Sequence, residues 1–257
     1  MISSDLKGRT VLAVFAHPDD ESLACGGTLA RLADEGLRVV VMSASRGERG
    51  AHTGPKRDNA LGLVRAKELR AAAETLGIAQ LIIGDHPDGD LQWAHVSEFH
   101  AELVTFMRAH APAAVITFGA DGLYWHRDHI GVYERTTSAV RSLGDAAPPL
   151  YYVTMARGVM TELVAAARER GWTAPVKGFW SLVPESYGLH AEPPTISVDV
   201  GAFVPKKIAA ILCHRSQMVD DHPFAQVADA VAVRLLGTEY FHRAEIPTRG
   251  PELLELL

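Results

Sequence analysis

The sequence predicts an α/β fold: a Rossmann-like, mostly parallel sheet with helices on both faces, and a C-terminal cap region containing a short antiparallel strand. Two observations carry this expectation. Over the first 150 residues or so, short β-rich runs alternate with longer runs of helical period, the pattern of a parallel sheet covered on both sides. The last third breaks that rhythm with Pro148-Pro149, Pro184 and Pro193-Pro194. Neither an internal repeat nor a linker divides the chain. We therefore expect one domain over residues 1–257, with about 150–257 capping the substrate site.

The elements follow in order. Thr10–Phe15 reads as a buried strand. Leu23–Glu35 places Leu23, Leu29, Leu32 and Ala33 on one face and stops at Gly36. Leu37–Met42 is a second strand, and the polar stretch from Ser43 to Asn59 is long for an α/β connection, as functional loops often are. A helix over Leu61–Leu76, stopped by Gly77, leads to a third strand at Gln80–Ile83. Gly84 to Gln92 is a loop rich in Asp and Gly. Val96–His110 is a helix with Phe99, Leu103 and Phe106 at helical spacing, and Ala113–Phe118 is a fourth strand. Asp128–Leu143, Leu150–Met155 and Val159–Arg170 read as helix, strand and helix. Thr195–Val200 alternates as a half-exposed strand does, and helices are expected at Lys206–His214 and Phe224–Leu236.

Composition narrows the function. With 257 residues, 47% of them hydrophobic, the chain can bury a large core. A net charge of -6 argues against a nucleic-acid partner, which favours a basic face. No apolar run approaches the ~20 residues needed to span a bilayer. Cys25 and Cys213 are too few for a disulfide framework, and no secretory signal is visible, so the cytoplasm is the expected compartment. A homo-oligomer is compatible with the sequence.

Residues 16–21, Ala-His-Pro-Asp-Asp-Glu, place an imidazole and three carboxylates in one turn after the first strand. That much negative charge needs a cation, and His with Asp suits zinc or a similar first-row ion. A second histidine-rich segment, Gly122-Leu-Tyr-Trp-His-Arg-Asp-His129, follows the fourth strand. Both lie at carboxyl ends of predicted parallel strands, the edge along which open α/β sheets bind ligands near the point where strand order reverses. If strands one and four are neighbours, the two loops meet.

The hexapeptide at 16–21 together with His-Arg-Asp-His at 126–129 resembles the PIG-L/LmbE-type zinc-dependent N-deacetylases, and His214-Arg-Ser-Gln217 is similar to a motif in the C-terminal part of that family. The resemblance implies one Zn2+ per chain, or another divalent ion, on His17, Asp20 and His129, with Asp19 as general base. Three protein ligands leave the open position that a catalytic zinc site requires. An oxyanion would need further donors: His126, kept protonated by Asp128, and the hydroxyl of Tyr124. Either Asp19 or His126 then protonates the leaving amine. Glu21 reads as an aid to the following helix, and Trp125 as bulk that narrows the pocket.

The resemblance also implies that Arg65 and Asp88 contact polar groups of a small N-acylated sugar. Glu48, on the loop after strand two, and His214 are further candidates for lining the site. Arg46, Arg49, Lys56 and Arg57 form a basic stretch that suits either an anionic substrate or a solvated loop. The leading expectation is removal of an N-acyl group, acetyl first, from an amino sugar or its conjugate. An amidase acting on a larger thiol-sugar conjugate and a metal-dependent phosphoesterase are the alternatives.

Overall fold

A computed structural model describes residues 6–50, 60–174, 179–217, 223, 229–248 and 253–257. Its strands are β1 (Thr10–Phe15), β2 (Arg38–Ser43), β3 (Gln80–Ile83), β4 (Ala114–Phe118), β5 (Leu150–Thr154), β6 (Ile196–Asp199) and β7 (Thr238–Arg243). The main helices are α1 (Asp20–Asp34), α2 (Ala60–Leu76), α3 (Val96–His110), the short α4 (Gly122–Trp125), α5 (Arg127–Ser142), α6 (Val159–Arg168), α7 (Val204–Ile211) and α8 (Asp229–Leu236). Residues 224–228 of the expected last helix, and Lys56 and Arg57 of the basic stretch, lie outside the described residues. No described helix is long and apolar enough to cross a membrane.

The seven strands form one sheet in the order β3-β2-β1-β4-β5-β7-β6. β1 to β5 run parallel to one another, whereas β7 runs antiparallel to both β5 and β6. The central strands β1 and β4 are buried throughout, so Val, Ile and Phe occupy both faces rather than alternating with polar residues. Chain order reverses between β1 and β4, which pair with Val11 opposite Ala114 and Ala13 opposite Ile116. The loops leaving these two strands therefore diverge to either side of a crevice at the carboxyl edge. Phe15 and Phe118, at the strand ends, are fully buried and meet edge to face at 5.2 Å.

Two features depart from the sequence expectations. α1 begins at Asp20, three residues early, so the acidic turn is its first turn and Asp20 and Glu21 face the positive end of the helix dipole. β7 was not expected at all. It inserts between β5 and β6, so the residues after 150 supply three strands of the main sheet as well as covering elements. The loop at 84–92 lies against α5 at Gly131, where a Cβ would fall 2.7 Å from Gln92 N and Leu91 O. Only glycine lets the loop approach so closely.

Candidate active site

The turn after β1 is held in a backbone shape that a chain seldom adopts. Asp19 has φ 124° and ψ -26°, and such a non-glycine conformation costs about 1–3 kcal/mol. Several bonds hold it. Asp19 N donates to Glu21 Oε2 at 3.0 Å, and the Asp19 carbonyl accepts from Ser22 N and Leu23 N. Arg65, buried on α2, donates through Nη1 to Gly47 O and through Nη2 to Pro18 O at 2.6 Å. The same Nη2 lies 3.1 Å from Asp19 Oδ2. Glu21 is fixed in turn by Ser22 Oγ and by His214 Nε2, which donates at 2.9 Å.

Around this turn the carboxylates and imidazoles are ordered by their partners. His17 Nε2 lies 3.1 Å from both Asp88 Oδ1 and Asp128 Oδ2, so it carries the proton and donates. Nδ1 is then the lone-pair nitrogen, 3.4 Å from Asp20 Oδ2. His129 donates from Nδ1 to the Gly122 carbonyl at 3.1 Å. Its buried Nε2 has no hydrogen-bond partner and faces Asp20 Oδ1 at 3.2 Å. Two ring lone pairs thus converge on one carboxylate, an arrangement that repels itself unless a cation lies between them. The donor set suits a divalent first-row ion. His126 is close enough to join it, with ring nitrogens of His17, His126 and His129 within 4.8 Å of one another.

A second group, His17, Asp88 and Asp128, is as compact but differently satisfied. Asp128 also accepts from Gly89 N at 2.6 Å and Leu91 N at 3.0 Å, and Asp88 accepts from Arg49 N at 2.6 Å. N–H donors already supply the positive charge there, so that group positions His17 and the 84–92 loop. Burial works against a charge on His17, yet where no cation neutralises Asp20, the carboxylates of Asp128, Asp20 and Asp88 outweigh it and raise its pKa well above the usual value, so that a second proton, on Nδ1, takes the cation's place. For Asp20, burial is outweighed by His129 and His17, and its pKa lies well below the carboxylate range. Burial raises Asp19 despite Arg65.

Several sequence expectations need correction. Asp128 does not keep His126 protonated, because its carboxylate turns to His17, Gly89 and Leu91. Its backbone N–H instead donates to His126 Nδ1 at 3.3 Å. Burial and the neighbouring imidazoles lower His126 to about 4, so the ring is neutral and its proton sits on Nε2. His214 does not line the cavity; it is fully buried against Glu21. Glu48 is exposed and lies outside the cavity, where Oε1 accepts from Asp88 N. Arg65 and Asp88 do line the cavity, but Arg65 grips the acidic turn and Asp88 grips His17. Trp125 is 57% exposed and stands at the rim, edge-on to His190.

These groups open into a cavity of about 710 Å³, lined by His17, Asp19, Asp20, Tyr124, His126 and His129 among others. Burial raises the Tyr124 phenol well above its usual pKa, so it stays a donor. Sequence reasoning missed two wall residues, Lys207 and Glu239. They form a buried ion pair of 2.6 Å, and Glu239 also accepts from Gly27 N and Thr28 N. Glu239 stands at an inward position of β7, and that buried carboxylate leaves no apolar alternation in the sequence to reveal it.

The geometry agrees with comparisons to known proteins. A family model described as PIG-L: GlcNAc-PI de-N-acetylase matches residues 12–140. A curated relative, the 1D-myo-inositol 2-acetamido-2-deoxy-alpha-D-glucopyranoside deacetylase of Acidothermus cellulolyticus, is 32% identical across 91% of this chain and 88% of its own length. Among solved structures, N,N'-diacetylchitobiose deacetylase from Pyrococcus horikoshii superposes with a TM-score of 0.66 at 20% identity, covering 92% of this chain and 84% of that one. GalB, the 4-carboxy-2-hydroxymuconate hydratase of Pseudomonas putida, also gives 0.66 at 20% identity, covering 95% and 98%. Those two likenesses establish the fold, which hosts more than one chemistry. The family match, spanning both motif loops, and the relative covering nearly the whole chain establish descent: the chain belongs to the PIG-L, or GlcNAc-PI de-N-acetylase, family of metal-dependent N-deacetylases.

Proposed function

We propose that this chain hydrolyses the N-acyl amide of an acylated amino sugar or its conjugate, with a single divalent ion, zinc first, held by His17, Asp20 and His129. The observation that carries the reading is the orphaned His129 Nε2 facing Asp20 Oδ1, with His17 Nδ1 turned to the same carboxylate. Zinc held there would supply a Lewis acid for the amide carbonyl and would make water acidic enough to lose a proton near pH 7. Asp19 takes that proton. Its Oδ2 is engaged by Arg65, which leaves Oδ1 to accept the proton and later return it to the departing amine. His126, neutral with its proton on Nε2, and the Tyr124 hydroxyl donate to the developing oxyanion. With His126 unsuited to act as an acid, Asp19 serves as both base and acid.

The sugar assignment draws on the named relative, which acts on an acetamido-glucopyranoside. A two-metal phosphoesterase is the weaker reading, because backbone N–H groups already occupy the carboxylates of Asp88 and Asp128.

Two tests follow. Protein purified without added metal is expected to hold about one zinc per chain by elemental analysis. Chelation should abolish acetate release from N-acetylated glucosaminides, and Zn2+ should restore it; activity indifferent to chelation overturns the metal reading. His126→Ala is expected to lower kcat by ~10²–10³ while metal content is kept, the usual loss for one oxyanion donor. Parallel loss of metal would make His126 a ligand instead.

A further inference from the structure

The cavity has two chemically different halves, and the sheet order separates them. On the β2/β3 side the wall carries Arg49, Arg65 and Asp88, with backbone of Gly50 and Gly89. On the β5/β7 side, among the described residues, it is built from Met155, Val159, Met160, Trp180, Leu235 and Leu236. His17, Asp20 and His129 follow β1 and β4, the two strands between these sides. Polar groups on this side are the ion pair of Lys207 with Glu239 and the hydroxyl-bearing Thr154, Thr238 and Tyr240. Lys207 and Glu239 neutralise each other, and the Gly27 and Thr28 N–H groups complete the carboxylate.

A secondary amide is strongly trans, so the sugar on its nitrogen and the chain on its acyl carbon point in opposite directions. An amide placed at the centre with its sugar over Arg49, Arg65 and Asp88 therefore sends its acyl chain toward Met155, Met160 and Leu235. An aglycone would leave from the sugar, on the polar side. An acetyl methyl would cover little of that apolar wall, whereas a longer chain would remove it from water.

Resting on the N-deacylation proposed above, we propose that the preferred substrate carries an apolar N-acyl chain longer than acetyl, seated between the end of β5, α6 and α8. Apolar burial then selects the acyl group, while the sugar half sets orientation.

The test is a series of N-acetyl, N-butanoyl and N-hexanoyl glucosamine, alongside octyl N-acetylglucosaminide. kcat/KM is expected to rise about fourfold per methylene buried, equivalent to about 0.8 kcal/mol each. A flat or falling series overturns the inference, as does a gain for the octyl glycoside without a gain for longer acyl groups. Val159→Asn, at the half-buried start of α6, should lower the hexanoyl-to-acetyl ratio about tenfold; an unchanged ratio counts against the seat. If no amide is cut, the catalytic reading falls by itself. Calorimetric Kd values for the same compounds then decide the inference, which requires them to tighten with chain length.

Discussion

Asp19→Asn is expected to lower kcat for amide hydrolysis by ~10²–10⁴ while metal content and thermal stability stay near those of the parent chain. The substitution removes the proton acceptor and the negative charge beside Arg65, while the amide oxygen of Asn can still accept from Arg65 Nη2. Asn tolerates positive φ better than most residues, so the turn at φ 124° is retained better than with a branched side chain. The bonds that fix the turn come from the Asp19 backbone, Glu21, Arg65 and His214, and all of these remain. Asp20, His17 and His129 are untouched, so zinc measured by elemental analysis should not fall. Steady-state kinetics on an N-acetylglucosaminide with metal analysis of the same sample checks both halves. Activity within tenfold of the parent would mean that another group takes the proton. Loss of metal together with activity would mean that Asp19 is a ligand.

The parallel half of the fold was legible because each of its signals is local. Strands β1 to β5 are apolar runs bounded by Gly or Pro, and β3 and α3 lie where the pattern puts them. β7 was hidden by its own function. Its inward positions are Glu239 and Phe241, and a buried carboxylate breaks the apolar alternation by which a strand is recognised. That carboxylate is acceptable only because Lys207, more than thirty residues earlier, reaches it.

The site divides in the same way. The convergence of the 16–21 and 126–129 segments followed from strand order, and the β1–β4 pairing bears it out. What adjacency in sequence could not show was direction. Asp128 follows His126 by two residues, yet α5 begins at Arg127 and carries its carboxylate toward His17. His214, Glu48 and Arg65 are each spent on another loop: on Glu21, on the Asp88 N–H, and on Pro18 and Gly47. Their type announced chemistry, but their partners lie 18 to 193 residues away. Only the fold reveals which of them touch the cavity.

Lys207→Ala should cost about 3–5 kcal/mol of stability, the loss expected when one partner of a buried ion pair is removed. Glu239 is 4% exposed between α1 and β7, and its remaining bonds to Gly27 N and Thr28 N do not neutralise the charge. The same pair ties α7, through Lys207, to the sheet and to α1 just after its non-helical Cys25, so its loss loosens three elements at once. At ~2–4 °C per kcal/mol for a chain of this size, the melting temperature should fall by ~6–20 °C. The double variant Lys207→Met with Glu239→Gln separates the pair's net worth from the cost of orphaning one charge. It removes both charges, keeps comparable volume and leaves an amide to meet the two N–H groups, so it should melt close to the parent. Thermal denaturation of the single and double variants distinguishes the cases. If the double variant melts as low as Lys207→Ala, the attraction between the charges itself holds α7 to the sheet. If neither melts lower, the pair is not buried as described.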